Sequence, residues 1–177
     1  SDVCSSDLRL GKATLDGADM SGASVHGADM AGASMRRAVV VGVDLSGANV
    51  REVDLSDVLR APPPSIYIDD KPLFEVVAEH EQFCVTEGRE GSFANLAEVD
   101  FRTLKQLAKR QLSGLSAQNA IFFGMNLEGA QLQGADLRGA DLRGCNLRGC
   151  DLRGAKLMDA QLLRADLRDA KLGPLPI

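Results

Sequence analysis

Two pairs of side chains could do chemistry. His80 and Cys84 stand four residues apart, one turn of a helix, and could supply part of a zinc site, but two ligands do not make one. Cys145 and Cys150 stand five apart, and each reads as a small buried thiol before it reads as half of a disulfide or metal pair. His26 is expected to point outward without a partner. No nucleophile, base and orienting group fall together. There is no P-loop and no dinucleotide fingerprint, because the glycines recur at regular fives and do not gather around a phosphate. The expectation is a non-enzyme with no catalytic residue, metal, cofactor or small-molecule substrate.

The 177 residues are 45% hydrophobic and 25% charged but only 4% aromatic, with no Trp, so Leu, Met, Val and Ala must fill any core. No apolar run approaches the roughly 18 residues a membrane span needs. Twenty basic against twenty-five acidic residues give −5, too mild to imply a partner. The opening octapeptide SDVCSSDL, Ser1 to Leu8, matches in full the translation of a widely used short-read sequencing adapter. Residues 1–8 are therefore expected to be an assembly artefact, with Cys4 meaningless and the lack of a signal peptide uninformative. Without a disulfide framework the chain suits a reducing compartment, and a cytoplasmic location is expected.

A hydrophobic residue recurs at every fifth position: Leu10, Leu15, Met20, Val25, Met30, Met35, and on to Leu55. It returns from Phe122 through Leu127, Leu132, Leu137, Leu142 and Leu147 to Leu172. Two residues before each sits a small or aliphatic one, such as Ala18, Ala28, Ala135, Ala140, Cys145 or Cys150. Period five fits neither helix nor strand, since it scatters the leucines around a helix and alternates them across a strand. It fits a square coil of twenty residues, five to a side, with two of every five side chains inside. Coils then stack about 4.8 Å apart, with Gly, Asp and Asn at the corners. Each coil is open above and below, so stability comes from stacking.

Runs such as Ala135-Asp136-Leu137-Arg138-Gly139 and Ala140-Asp141-Leu142-Arg143-Gly144 resemble the pentapeptide-repeat family. The resemblance implies an all-β solenoid, a right-handed quadrilateral β-helix, and leaves the function open.

The repeat breaks once. Residues 9–58 form a first segment, 59–91 a Pro-rich linker and capping α-helix, 92–173 a second segment, and 174–177 a tail. Pro62, Pro63 and Pro64 end the first coil. The helix, around 72–86, is expected to start at Asp69 or Asp70 as cap with Pro72 in its first turn. Its apolar stripe is Leu73, Phe74, Val77, His80 and Phe83, its stop Gly88. It would cap the start of the second coil and hide an edge. From Leu104 to Ala117 the register slips by one residue and places Lys105 and Arg110 at inward positions. That stretch reads either as a degenerate coil, the preferred reading, or as an amphipathic helix.

Outward positions carry the candidate function. Arg138, Arg143, Arg148 and Arg153 follow successive core leucines and encircle one coil, a solvated belt pairing locally with Asp136, Asp141 and Asp151. Ile121, Phe123 and Leu163 share one face and Met158 lies on the next; Val39 and Val41 are outward apolar residues of the first segment. These six, Ile121, Phe123, Met158, Leu163, Arg138 and Arg143, form the expected partner surface. The expected role is a non-catalytic scaffold or interaction module for an unknown protein partner, with an exposed solenoid end suited to a homodimer. The alternative implied by the resemblance is a DNA mimic that binds type II topoisomerase and protects against quinolones. Segment charge argues against it: residues 92–177 hold twelve basic and nine acidic side chains, while the acidity lies in 61–91, with two and seven. Nucleic acid itself is an equally poor fit, because the arginines encircle the coil instead of lining one face.

Overall fold

The computed structural model describes residues 8–104 and 106–175, and it divides into two compact units, Ser1–Ala61 and Pro62–Ile177. Cys4 and Lys105 lie outside the described residues.

In the first unit, parallel bridges join residues twenty apart: Arg9 to Asp29 to Asn49, Thr14 to Ser34 to Asp54, and Asp19 to Val39 to Leu59. Each side works like the one at Met20. The Met20 N–H donates to the Val39 carbonyl of the next rung at 2.9 Å, and the Ala23 N–H turns back to the Met20 carbonyl at 2.9 Å. Gly22, third in that turn, has φ +69°, the left-handed value a type II corner requires. Glycine makes most corners, and Asp57, Asn119, Asp159 and Asp169 hold others at φ between +55° and +62°. The aspartates that precede the inward residue do not. Asp19 and Asp44 sit on the sides at bridge positions, and each accepts the N–H two residues on, from Ser21 at 3.1 Å and Ser46 at 2.9 Å. They brace the corner from outside as Asx turns do.

The core of this unit is thin. Val25, Ala28, Met30, Ala33, Met35 and Ala38 are buried, whereas Leu10, Leu15, Met20, Val40, Leu45 and Leu55 are only partly covered.

The second unit opens with a two-stranded hairpin, β1 (Tyr67–Ile68) and β2 (Lys71–Pro72). Asp69 and Asp70 make its turn at φ +48° and +63°. This corrects the expected Asp cap: the N-cap of helix α1 (Leu73–Val85) is Pro72, and the Leu73 N–H is satisfied by the Ile66 carbonyl. Leu73, Val77 and His80 are the buried face of α1, whereas Phe74 points out, 59% exposed, because one residue's step rotates it about 100° from that stripe. Gly91 passes directly over α1. A Cβ there would lie 2.1 Å from the Glu79 carbonyl oxygen, so glycine is required.

The rungs follow. Asn95 bridges Ser116 and Asp100 bridges Ile121, twenty-one residues apart, while Gln111 to Gln131 and all later bridges span twenty. The extra residue is taken up beside a short 3-10 turn, Phe101–Thr103, capped by Asp100. Residues 106–116 are coil, with Leu107 and Leu112 inside at 1% and 0% exposure. Arg110, expected inward, does not enter the core; its Nη1 reaches Glu81 on α1 at 2.6 Å. Beyond it Leu127, Leu132, Leu137, Leu142 and Leu147 line one continuous interior with Ala130, Ala135 and Ala140, all at most 1% exposed. At the start of that interior Phe101 and Phe122 stack 4.4 Å apart. Among the described residues no helix is long and apolar enough to cross a membrane.

Candidate protein-interaction surface

The outer faces of the second unit are built from a pair of residues on each side, one before and one after the inward leucine. Where these are Asp and Arg they close a two-point clasp. Nε of Arg138 donates to Oδ1 of Asp136 at 2.8 Å and Nη2 to Oδ2 at 2.7 Å. Arg143 clasps Asp141 the same way at 2.8 and 2.6 Å, and Arg153 and Arg168 clasp Asp151 and Asp166. The aspartate also accepts the N–H of its arginine, so one carboxylate fixes both a corner and a cation. The guanidinium hydrogen bond holds Asp136 well below the ordinary carboxylate range, and holds Asp151 and Asp166 at about 2.

This ring is not uniformly solvated, which corrects the expected belt. The Arg138 side chain is 46% exposed, but Arg143 and Asp141 are 8% and 11% exposed. The reason is the neighbouring rung. The Gly124 N–H donates to the Arg143 carbonyl and the Gly144 N–H to the Leu163 carbonyl, both at 2.9 Å, so Phe123, Arg143 and Leu163 stand in one column. The Arg143 guanidinium lies 5.4 Å from the Phe123 ring centroid, a cation–π contact that covers both groups. Ile121 bridges Asp141 in the adjoining column, and it and Phe123 are half-buried. On the next side the Gly139 N–H donates to the Met158 carbonyl, placing Met158 one rung beyond Arg138. The apolar exposure gathers on the last rung, where Met158 is 65% and Leu163 64% exposed. Val39, expected outward and exposed, is 1% exposed, and Val41 is half-buried.

The cysteines are spent structurally. Sγ of Cys145 donates to the Phe122 carbonyl at 3.0 Å and Sγ of Cys150 to the Leu127 carbonyl at 2.8 Å. Burial pushes the Cys145 thiol up to about 12, far from a nucleophile. His80 and Cys84 do meet, Nε2 to Sγ at 3.6 Å, yet no third ligand joins them among the described residues. His26 has a partner after all, its Nδ1 lying 2.7 Å from the Ser46 hydroxyl one rung on. The ties from α1 to the first rung, Arg110 to Glu81 and Cys84 to the Ser113 carbonyl at 3.3 Å, were invisible in the sequence because they join residues 29 apart across unlike elements.

Parallel rungs of four five-residue sides, a leucine-lined interior and glycine corners define a β-solenoid protein. The family model for pentapeptide repeats matches residues 6–37, 18–57, 111–144 and 135–173, more than half of the chain, and the chain belongs to the pentapeptide-repeat family. No curated protein matches it. Among solved structures it is similar to Rfr23, a pentapeptide repeat protein of the cyanobacterium Cyanothece 51142, at 19% identity over 87% of this chain and 63% of that one, TM-score 0.30. It is similar to a pentapeptide repeat protein of the Arabidopsis thaliana thylakoid lumen at 32% identity over 43% and 52%, TM-score 0.25. It also matches QnrB1, a plasmid-mediated fluoroquinolone resistance protein, at 22% identity over 93% and 67%, TM-score 0.21. The chain thus spans well under two thirds of the Arabidopsis protein and slightly under two thirds of Rfr23.

Proposed function

We propose that the chain is a non-catalytic scaffold and protein-interaction module, working through the last rung of its second unit. One observation carries the reading: Met158 and Leu163 are each about two-thirds exposed beside Leu157, Leu162 and Leu167, whose equivalents one rung earlier are sealed. Large exposed apolar residues grouped on one surface are what a protein partner covers. Arg138 and Arg143, with Ile121 and Phe123, supply a polar and aromatic border. A second copy of the chain is the partner to test first, docking end to end through this rung.

The duplex-mimic reading is not advanced, since residues 92–177 carry more basic than acidic side chains and so oppose a continuous acidic surface. Sedimentation of the intact chain against a Met158→Glu/Leu163→Glu variant tests the module. A concentration-dependent dimer that the variant abolishes is expected. A strictly monomeric wild type, with no protein cross-linked through a photoreactive residue at position 163, contradicts it.

A further inference from the structure

His80 is wholly buried under α1, and both its ring nitrogens are committed. Nδ1 accepts the Ala94 N–H at 3.2 Å. A nitrogen that accepts carries no proton, so the neutral ring holds its hydrogen on Nε2. That atom faces Sγ of Cys84 at 3.6 Å, and Sγ in turn donates to the Ser113 carbonyl at 3.3 Å. The Phe93 ring closes the pocket edge-on, 5.4 Å between centroids. The nearby carboxylates are already engaged. Glu81 is held by Arg110 and by the Gln111 N–H, and Glu79 by Lys71 and Ser92.

A second proton on this ring has nowhere to go. It would put an N–H on Nδ1 aimed at the Ala94 N–H, two donors with no acceptor between them, and a cation in a buried pocket where the Ser113 carbonyl and Glu81 offset only part of the cost of burial. The ring can take the proton only by leaving. With it would go the contact that ties α1 to Ala94, whose side chain begins the inward face of the first rung. We propose that His80 is a proton-operated latch that holds α1 on the first rung while neutral and releases it when protonated.

Burial already pushes His80 below its ordinary 6.5, the direction the geometry requires. The folded state disfavours the proton and the released state does not. The latch is therefore at full strength above pH 6.5 and weakens as pH falls below it, its opening constant rising by up to about tenfold per pH unit. Release would uncover Leu96 and Phe101, buried in the same core as Leu73 and Val77 of α1.

Hydrogen exchange of the intact chain between pH 8 and 5, corrected for intrinsic rates, tests this. Protection of the α1 amides should fall by up to about tenfold per unit below 6.5, while that of residues 127–152 stays constant. His80→Gln, which keeps an acceptor for Ala94 but cannot titrate, should remove the dependence, and His26→Gln should leave it. Only two histidines are present, so ring NMR titration can follow each. If the variant does not fold, coincidence of the wild-type His80 titration with the loss of α1 protection decides the matter. A pH-independent α1, a His80 that titrates at or above 6.5, or a dependence that survives His80→Gln would overturn the proposal.

Discussion

The two units share one architecture and differ in how completely they seal it. In the first, six residues of one central rung are buried and the flanking Leu10, Leu45 and Leu55 are half open. In the second, a helix lies over the first rung and leucines are fully buried from Leu112 to Leu147. Corners do not separate the units: Lys12, Arg37, Glu52 and Asp57 hold left-handed corners of the first with a side chain attached, and Lys109, Asn119, Asp159, Arg164 and Asp169 do so in the second, where the sealed stretch from Gly124 to Gly154 turns on glycine alone. A solenoid gains stability per rung stacked and pays at each unsealed end, so a short stack is weak even when its repeats are well formed.

The largest effect should come from the interior. Leu137→Ala should cost about 2–5 kcal/mol in denaturant unfolding followed by circular dichroism, whereas Leu45→Ala in the first unit should cost less than half as much, because its site is already partly wet. Equal losses would erase the contrast. Next, Arg143→Met should cost about 3 kcal/mol by stranding buried Asp141, whereas Arg138→Met should cost under about 1 kcal/mol, because Arg138 is itself half exposed and Asp136 keeps Gln118 and Lys156 as partners. A smaller gain, about 1 kcal/mol, is expected from Arg37→Gly, which relieves a φ of +55° in the first unit.

Protonation of the carboxylates should act least and on both units alike. Asp54 in the first and Asp151 and Asp166 in the second are held at about 2, against an ordinary 3.8. Their folded state disfavours the proton, so their contribution is present above pH 4 and lost as pH falls from there toward 2. An acid titration of the circular dichroism signal should show this loss in both units.

Much of this was legible from spacing alone. A leucine every five residues has one geometric solution, and the one-residue slip over Leu104 to Ala117 could be counted. What spacing hides is what depends on the next rung or on an unlike element. Asp69 and Asp70 suit a helix cap and a left-handed turn equally, and only pairing of Tyr67 with Pro72 selects the turn. Arg143 reads as solvated until Phe123, twenty residues earlier, is laid against it. Arg110 looks inward by register, and α1 supplies the carboxylate that draws it out.

The central claim is that residues twenty apart are lateral neighbours. The Gly149 N–H donates to the Arg168 carbonyl at 3.0 Å, so Arg148 and Arg168 stand on adjacent rungs of one column, within disulfide reach. Under mild oxidation an Arg148→Cys/Arg168→Cys chain should close its disulfide, while Arg148→Cys/Leu163→Cys should stay reduced. Cross-linking of the fifteen-residue pair and not the twenty-residue pair would contradict the account.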